Sequence, residues 1–184
     1  MASFRSSELP GRVVRGELAL LRRVVYGDSE MAGLSAVLPM LQVSHRRELM
    51  TRPHWSKEEL VRHPEPRELI RSMRKPGNLD PQGRPVYTLD ERRSLTADIY
   101  ENRVVRQTAD AVQQRVQTLA ADPDPQIKGE ARAMLRVLEG ALRQATFLDE
   151  VGQAGKTNMP TATLTQDPLY RRVMAIRAEL AESA

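Results

Sequence analysis

Cysteine is absent from this sequence. That removes a disulfide framework, a thiolate nucleophile and every cysteine-ligated zinc or iron–sulfur site. Aromatic residues make up only 4% of the chain, so the core has to be assembled from Leu, Val, Ala and Met. Such a core suits packed helices better than a β-sandwich. No apolar run approaches the roughly 18 residues of a membrane span, and the opening "MASFRSSELPGR" lacks the apolar centre of a signal peptide. A soluble, cytoplasmic protein that does not engage a membrane is expected. Lysine is scarce as well: Lys57, Lys75, Lys128 and Lys156 are the only lysines among 28 basic residues.

What is present is a chain of 184 residues, 40% apolar and 28% charged, the length of one domain or slightly more. The net charge of +4 is unevenly spread. Up to Lys75 there are 14 basic against 9 acidic residues, and from Pro76 onward 14 against 15. Arginine forms bidentate contacts with phosphate, so the basic first half makes nucleic acid one candidate partner, with Arg22, Arg23, Arg46 and Arg47 as candidate contacts. Dispersed arginines on an ordinary solvated surface account for the same numbers.

The apolar periodicity reads almost entirely as helix. "GRVVRGELALLRRVVYG" places Val14, Leu18, Leu21 and Val25 on one face and ends at Gly27, a C-cap residue. "MAGLSAVLPMLQV" predicts a more buried helix, bent or ended by Pro39. Ser56 and Glu59 have capping-box spacing for a short helix stopping before Pro64, and Pro66 opens "RELIRSMR". "KPGNLDPQGRPVYTL" is rich in turn residues, with "VYTL" as one short strand.

A long helix is expected from about Asp90 to Ala121, and another from about Gln126 to Leu148, separated by "ADPDPQ". The first carries a seam of Val105, Ala109, Val112, Val116 and Leu119. The second carries Ile127, Ala131, Met134, Leu138, Ala141, Ala145 and Leu148. Two such helices with a short link make an antiparallel αα-hairpin. A last helix is capped by Asp167, begins with Pro168, and buries Leu169, Val173, Ile176 and Leu180. The expected fold is mostly α: short N-terminal helices and a central loop over 1–89, then the long hairpin and C-terminal helix over 90–184. The two parts read as one continuous domain, with at most one short strand pair.

Extended backwards, the first seam lands on Asn102 and Asp98 and then on Leu95. A buried polar group costs about 1–3 kcal/mol unless hydrogen-bonded. The two polar residues therefore either pair internally, with each other, Arg103, Arg106 or a neighbouring loop, or mark an end of the hairpin covered by a partner. Asn102 is expected to be buried and bonded to backbone of "GNLDPQGRPVY", and Arg106, off the seam, to be dispensable.

Signatures of catalysis fail. His45, His54 and His63 lie nine residues apart in loops and short helices, a poor spacing for a metal site. "GQAGK" lacks P-loop spacing. "DPDPQIKG" loosely mimics an acid-and-lysine nuclease pattern, but its residues fall on a turn and a helix start, where Asp and Gln serve as caps. No cofactor is implied, and no enzyme activity is expected.

The string "DIYENRVVRQTADAV" resembles the Tyr-Glu-Asn-Arg motif of a domain of unknown function in McrC-like, restriction-associated proteins, where it precedes a PD-(D/E)XK nuclease domain. "WSKEELVRHPE", ahead of that motif, and "FLDEVGQAGKTNMPTATLTQDPLYRRVM", after the hairpin, resemble flanking segments of the same family in the same order. The resemblance covers roughly residues 45 to 180. Val104 stands where the family usually has Phe. The family's nuclease residues lie beyond the Asp-Pro-x-Tyr-Arg helix, so none maps onto a position up to Ala184. The resemblance implies a non-catalytic helical interaction module of a restriction or defence system, positioning a nuclease domain or an AAA+ motor partner. Tyr100, Glu101, Asn102 and Arg103 would then be an interaction or structural motif. The alternative is a small nucleic-acid-binding protein using the arginine-rich first half.

Overall fold

The computed structural model describes residues 8–61, 65–153, 155 and 159–183. Its elements, in order, are α1 (Glu8–Tyr26), α2 (Leu34–Ser44), β1 (Glu48–Lys57), a 3-10 turn (Glu58–Leu60), α3 (Pro66–Met73) and β2 (Tyr87–Thr96). They continue with α4 (Tyr100–Ala120), α5 (Pro125–Gln144), a second 3-10 turn (Thr146–Glu150), α6 (Ala162–Gln166) and α7 (Pro168–Glu182). The fold is mostly α, with one two-stranded antiparallel sheet. No helix among the described residues is long and apolar enough to cross a membrane.

The chain divides into two compact units, at 46/47 and 96/97. The described residues up to Arg46 join those from Ala97 onward, and Arg47–Thr96 form an insertion between them.

The helical unit holds the main core. Every buried residue of that cluster comes from outside Arg47–Thr96. The α4–α5 hairpin packs along the expected seams: Val105, Ala109, Val112 and Val116 are fully buried, as are Ala131 and Leu138 opposite. Asp124 accepts from the Gln126 amide to cap α5, and Asp167 accepts from the Leu169 and Tyr170 amides to cap α7. These caps satisfy amides that the first helical turn leaves without partners. Val173 and Ile176 are fully buried beneath α7.

Helix α1 ends at Gly27, with φ of +86° and its amide bonded to the Arg23 carbonyl at 2.8 Å. The turn then doubles back so tightly that a Cβ on Gly33 would lie 2.3 Å from the Gly27 nitrogen. Pro39 does not end α2; the helix runs on to Ser44 with Leu34, Val37, Leu38 and Leu41 buried. An interior proline costs about 3 kcal/mol, whereas each buried aliphatic returns about 1.5–3 kcal/mol.

The inserted unit is an antiparallel ribbon with α3 beside it. Glu48 pairs with Thr96 at one end and Lys57 with Tyr87 at the other. Ser56 therefore lies in β1, followed by a 3-10 turn, and no capped α-helix opens there. "VYTL" is only the start of a ten-residue strand, which claims Asp90 to Thr96 and delays the long helix to Tyr100. Pro66 occupies the first turn of α3, where its missing amide costs nothing. The loop to β2 is organised by Asn78, whose Nδ2 donates to the Ser72 and Tyr87 carbonyls while its Oδ1 accepts from the Tyr87 amide. Asp80 accepts from the Gln82 and Arg84 amides, and the Arg84 amide bond in particular holds its carboxyl below the ordinary aspartate value.

Candidate functional site

The residues singled out by sequence converge at the start of α4. Asn102 is fully buried. Its Nδ2 donates to the Arg46 carbonyl at 2.9 Å and to the Ala97 carbonyl at 2.7 Å, and its Oδ1 accepts from the Tyr170 hydroxyl at 2.5 Å. The same hydroxyl accepts from the Arg46 amide at 3.0 Å. One amide can donate twice and accept at once, which no apolar residue on the seam could do. The partner expected for it was the 77–87 loop. That loop is served by Asn78, and Asn102 instead ties together the two residues between which the insertion leaves and rejoins the helical unit.

Around this centre the remaining polar groups form a second layer. Asp98 lies before the helix rather than on its seam. It forms a bidentate pair with Arg103, Nε to Oδ1 at 2.7 Å and Nη2 to Oδ2 at 2.8 Å, and accepts from the Gly152 amide at 2.8 Å. Tyr100 is half-buried, its hydroxyl accepting from the Met159 amide at 2.9 Å. Glu101 is buried in the first turn of α4, where a carboxylate is favoured by the helix dipole. Arg106 is not dispensable by geometry: its guanidinium donates to the Leu148 carbonyl at 3.0 Å and to the Val151 carbonyl. Arg46 also donates from its side chain to Thr163 on α6.

Three stretches of the McrC-like resemblance therefore meet here. "YENR" supplies Asn102 and Arg103, "FLDEVG" supplies the carbonyls of Leu148 and Val151 and the Gly152 amide, and "DPLYR" supplies Tyr170. Tyr170 was marked in the sequence only as part of a motif. The signal for its role, a tyrosine one turn into a capped helix on the buried face, does not say which polar group it meets. Burial pushes its hydroxyl pKa above the ordinary value, and the Asp167 and Glu101 carboxylates add to that rise while Arg46 opposes it.

The four residues, expected as an interaction or structural motif, are engaged within the chain. Asn102 and Glu101 are buried, and Tyr100 and Arg103 hold partners within the chain. The arrangement has a structural chemistry, in which hydrogen bonds fix a chain crossing.

The candidate phosphate-binding arginines are not brought together. Arg23 is bound to Glu179 through Nε and Nη2, and Arg46 is committed to Tyr170 and Thr163. Arg22 is exposed on α1 beside Tyr26, Glu130, Ala133 and Met134. Arg47 is exposed and belongs to the inserted unit. His45 stacks on Phe147 at 4.4 Å between ring centroids, His54 lies in β1, and His63 falls outside the described residues. No group of three or more His, Asp or Glu suited to a metal ion occurs among the described residues.

Compared with protein-family models, with curated proteins and with solved structures, the chain finds no match.

Proposed function

We propose that the chain is a helical interaction module of a McrC-like restriction or defence protein, one that positions a nuclease domain or an AAA+ motor rather than performing chemistry itself. The resemblance supplies the system. The observation that carries the interaction role is the inserted unit. Ten of the seventeen large apolar side chains exposed among the described residues lie in Arg47–Thr96, whereas Leu89 is its only buried hydrophobic residue. Apart from Pro85, its other buried positions among the described residues, Ser56, Ser72, Asn78 and Thr88, are polar. A two-stranded ribbon is marginally stable in water by itself, and concentrated exposed apolar surface marks a binding site. Leu49 and Leu95, 60% and 63% exposed, face each other across the ribbon and are natural anchors for a partner.

Co-purification with the AAA+ ATPase or GTPase and the nuclease domain encoded at the same locus tests this reading. The native chain should be retained, and Leu49→Ser/Leu95→Ser should be released with an unchanged melting temperature. Retention of neither protein by the native chain, or a locus encoding neither, overturns it.

A further inference from the structure

The outer crest of α5 contributes no residue to the Asn102 cluster. Its buried face is Ile127, Ala131, Met134, Leu138 and Ala141. At about 100° per residue, Arg132, Arg136 and Arg143 fall on the opposite side and Lys128 on its flank. Arg132, Arg136 and Arg143 are exposed and Lys128 is half-buried. None of the four forms an ion pair with a described residue. Glu139, half-buried, is the one carboxylate within this row, one turn from both Arg136 and Arg143. At about 1.5 Å of rise per residue the four cations span about 22 Å.

Two glycines share this crest. A Cβ on Gly129 would meet nothing within 4 Å, and one on Gly140 would meet only the Arg143 guanidinium at 4.0 Å. Glycine inside a helix is unfavourable, and no packing within the chain calls for it at either position. The backbone at both positions is open to solvent-side approach.

We propose that this crest is a contact surface for the phosphate backbone of duplex DNA, with Lys128, Arg132, Arg136 and Arg143 each meeting a phosphate and the glycines letting the strand lie close to the helix. The crest has no apolar anchor, whereas the centre of a protein–protein interface is depleted in charge and enriched in aromatics. Arginine's planar fork matches phosphate oxygens bidentately. Dense phosphates reward a row of like charges that an ordinary protein surface does not. The contact is independent of sequence, because the four cations are assigned to phosphates, which position a protein on the duplex and carry no sequence information.

Binding of the full chain to a 20-base-pair duplex, followed by fluorescence anisotropy across a salt series, tests the proposal. Four neutralised phosphates give a slope of about −3.6 in log affinity against log salt, or about a 150-fold loss between 50 and 200 mM. Arg132→Gln/Arg136→Gln should weaken binding at least tenfold at 50 mM and halve the slope to about −1.8, with the melting temperature unchanged. Gly140→Leu should weaken binding while leaving the melting temperature equal or higher, a split that loss of fold cannot produce. Arg67→Gln/Arg71→Gln/Arg74→Gln, on α3 and its C-cap, should leave the affinity within twofold. No binding at 50 mM salt, binding indifferent to the α5 double variant, or tighter binding to polyglutamate than to the duplex overturns the proposal.

Discussion

Replacing Asn102 with alanine removes the one side chain that satisfies polar groups from three directions. The Arg46 carbonyl loses its side-chain donor, and the Tyr170 hydroxyl loses the acceptor for its proton. The Ala97 carbonyl is less exposed to the change, because the Ile99 amide still donates to it at 2.8 Å. Two buried groups left unpaired at about 1–3 kcal/mol each give about 2–6 kcal/mol. A water admitted to the vacated amide volume recovers part of that, so the expected loss is about 3 kcal/mol, a large fraction of the total stability of about 5–15 kcal/mol for a small protein. Asn102→Leu should lose as much, since added hydrophobicity leaves the same groups orphaned. Tyr170→Phe should cost about 1–3 kcal/mol, and the double variant should show a coupling of about 1–2 kcal/mol between the two sites. Urea unfolding followed by circular dichroism gives all four free energies. Hydrogen exchange adds a local readout, because the Arg46 amide is protected by the Tyr170 hydroxyl and should exchange faster in Tyr170→Phe. A loss below about 1 kcal/mol for Asn102→Ala, or a leucine variant as stable as the native chain, would refute the argument that these hydrogen bonds hold the crossing.

Three further outcomes are expected. Arg106→Ala should destabilise by about 1–2 kcal/mol, because two carbonyls of the 146–151 segment lose a charged donor; Arg106→Lys, whose shorter side chain sets its nitrogen back from both, should recover only part in the same unfolding assay. Gly33→Ala should cost at least about 2 kcal/mol by thermal melting, since its Cβ would fall 2.3 Å from the Gly27 nitrogen and 2.4 Å from the Val25 carbonyl, where only backbone could yield. The raised pKa of Tyr170 ties stability to high pH: the unfolded tyrosine ionises near its ordinary value of about 10 while the buried one does not. The contribution is therefore complete below that value and is lost as pH rises through the folded pKa. Unfolding free energy measured from pH 8 to 11 should fall more steeply for the native chain than for Tyr170→Phe.

Helical periodicity determined the α4–α5 hairpin, the caps at Asp124 and Asp167 and the end of α1 at Gly27. Each is a local pattern that repeats every turn or depends on one residue's own backbone preference. The polar interruption at Asn102 was legible for the same reason, since a break in a regular seam is a signal in itself. The β1–β2 ribbon was not. Residues from Glu48 to Lys57 are exposed except Ser56, so no alternation of apolar and polar residues could announce a strand. Pro53 is tolerated because each strand of a two-stranded ribbon is an edge.

Nor could the sequence name the partners of Asn102 or Arg106, because both choices join groups far apart along the chain: Arg46 and Tyr170 for the one, Leu148 and Val151 for the other. Which polar group is left without a partner is known only when the helices have packed. Local chemistry thus determined the helices, their ends and the one seam position that had to be satisfied. Tertiary packing decided that a ribbon interrupts the helical unit, and that an asparagine and a tyrosine far apart in sequence bond where the ribbon leaves and rejoins it.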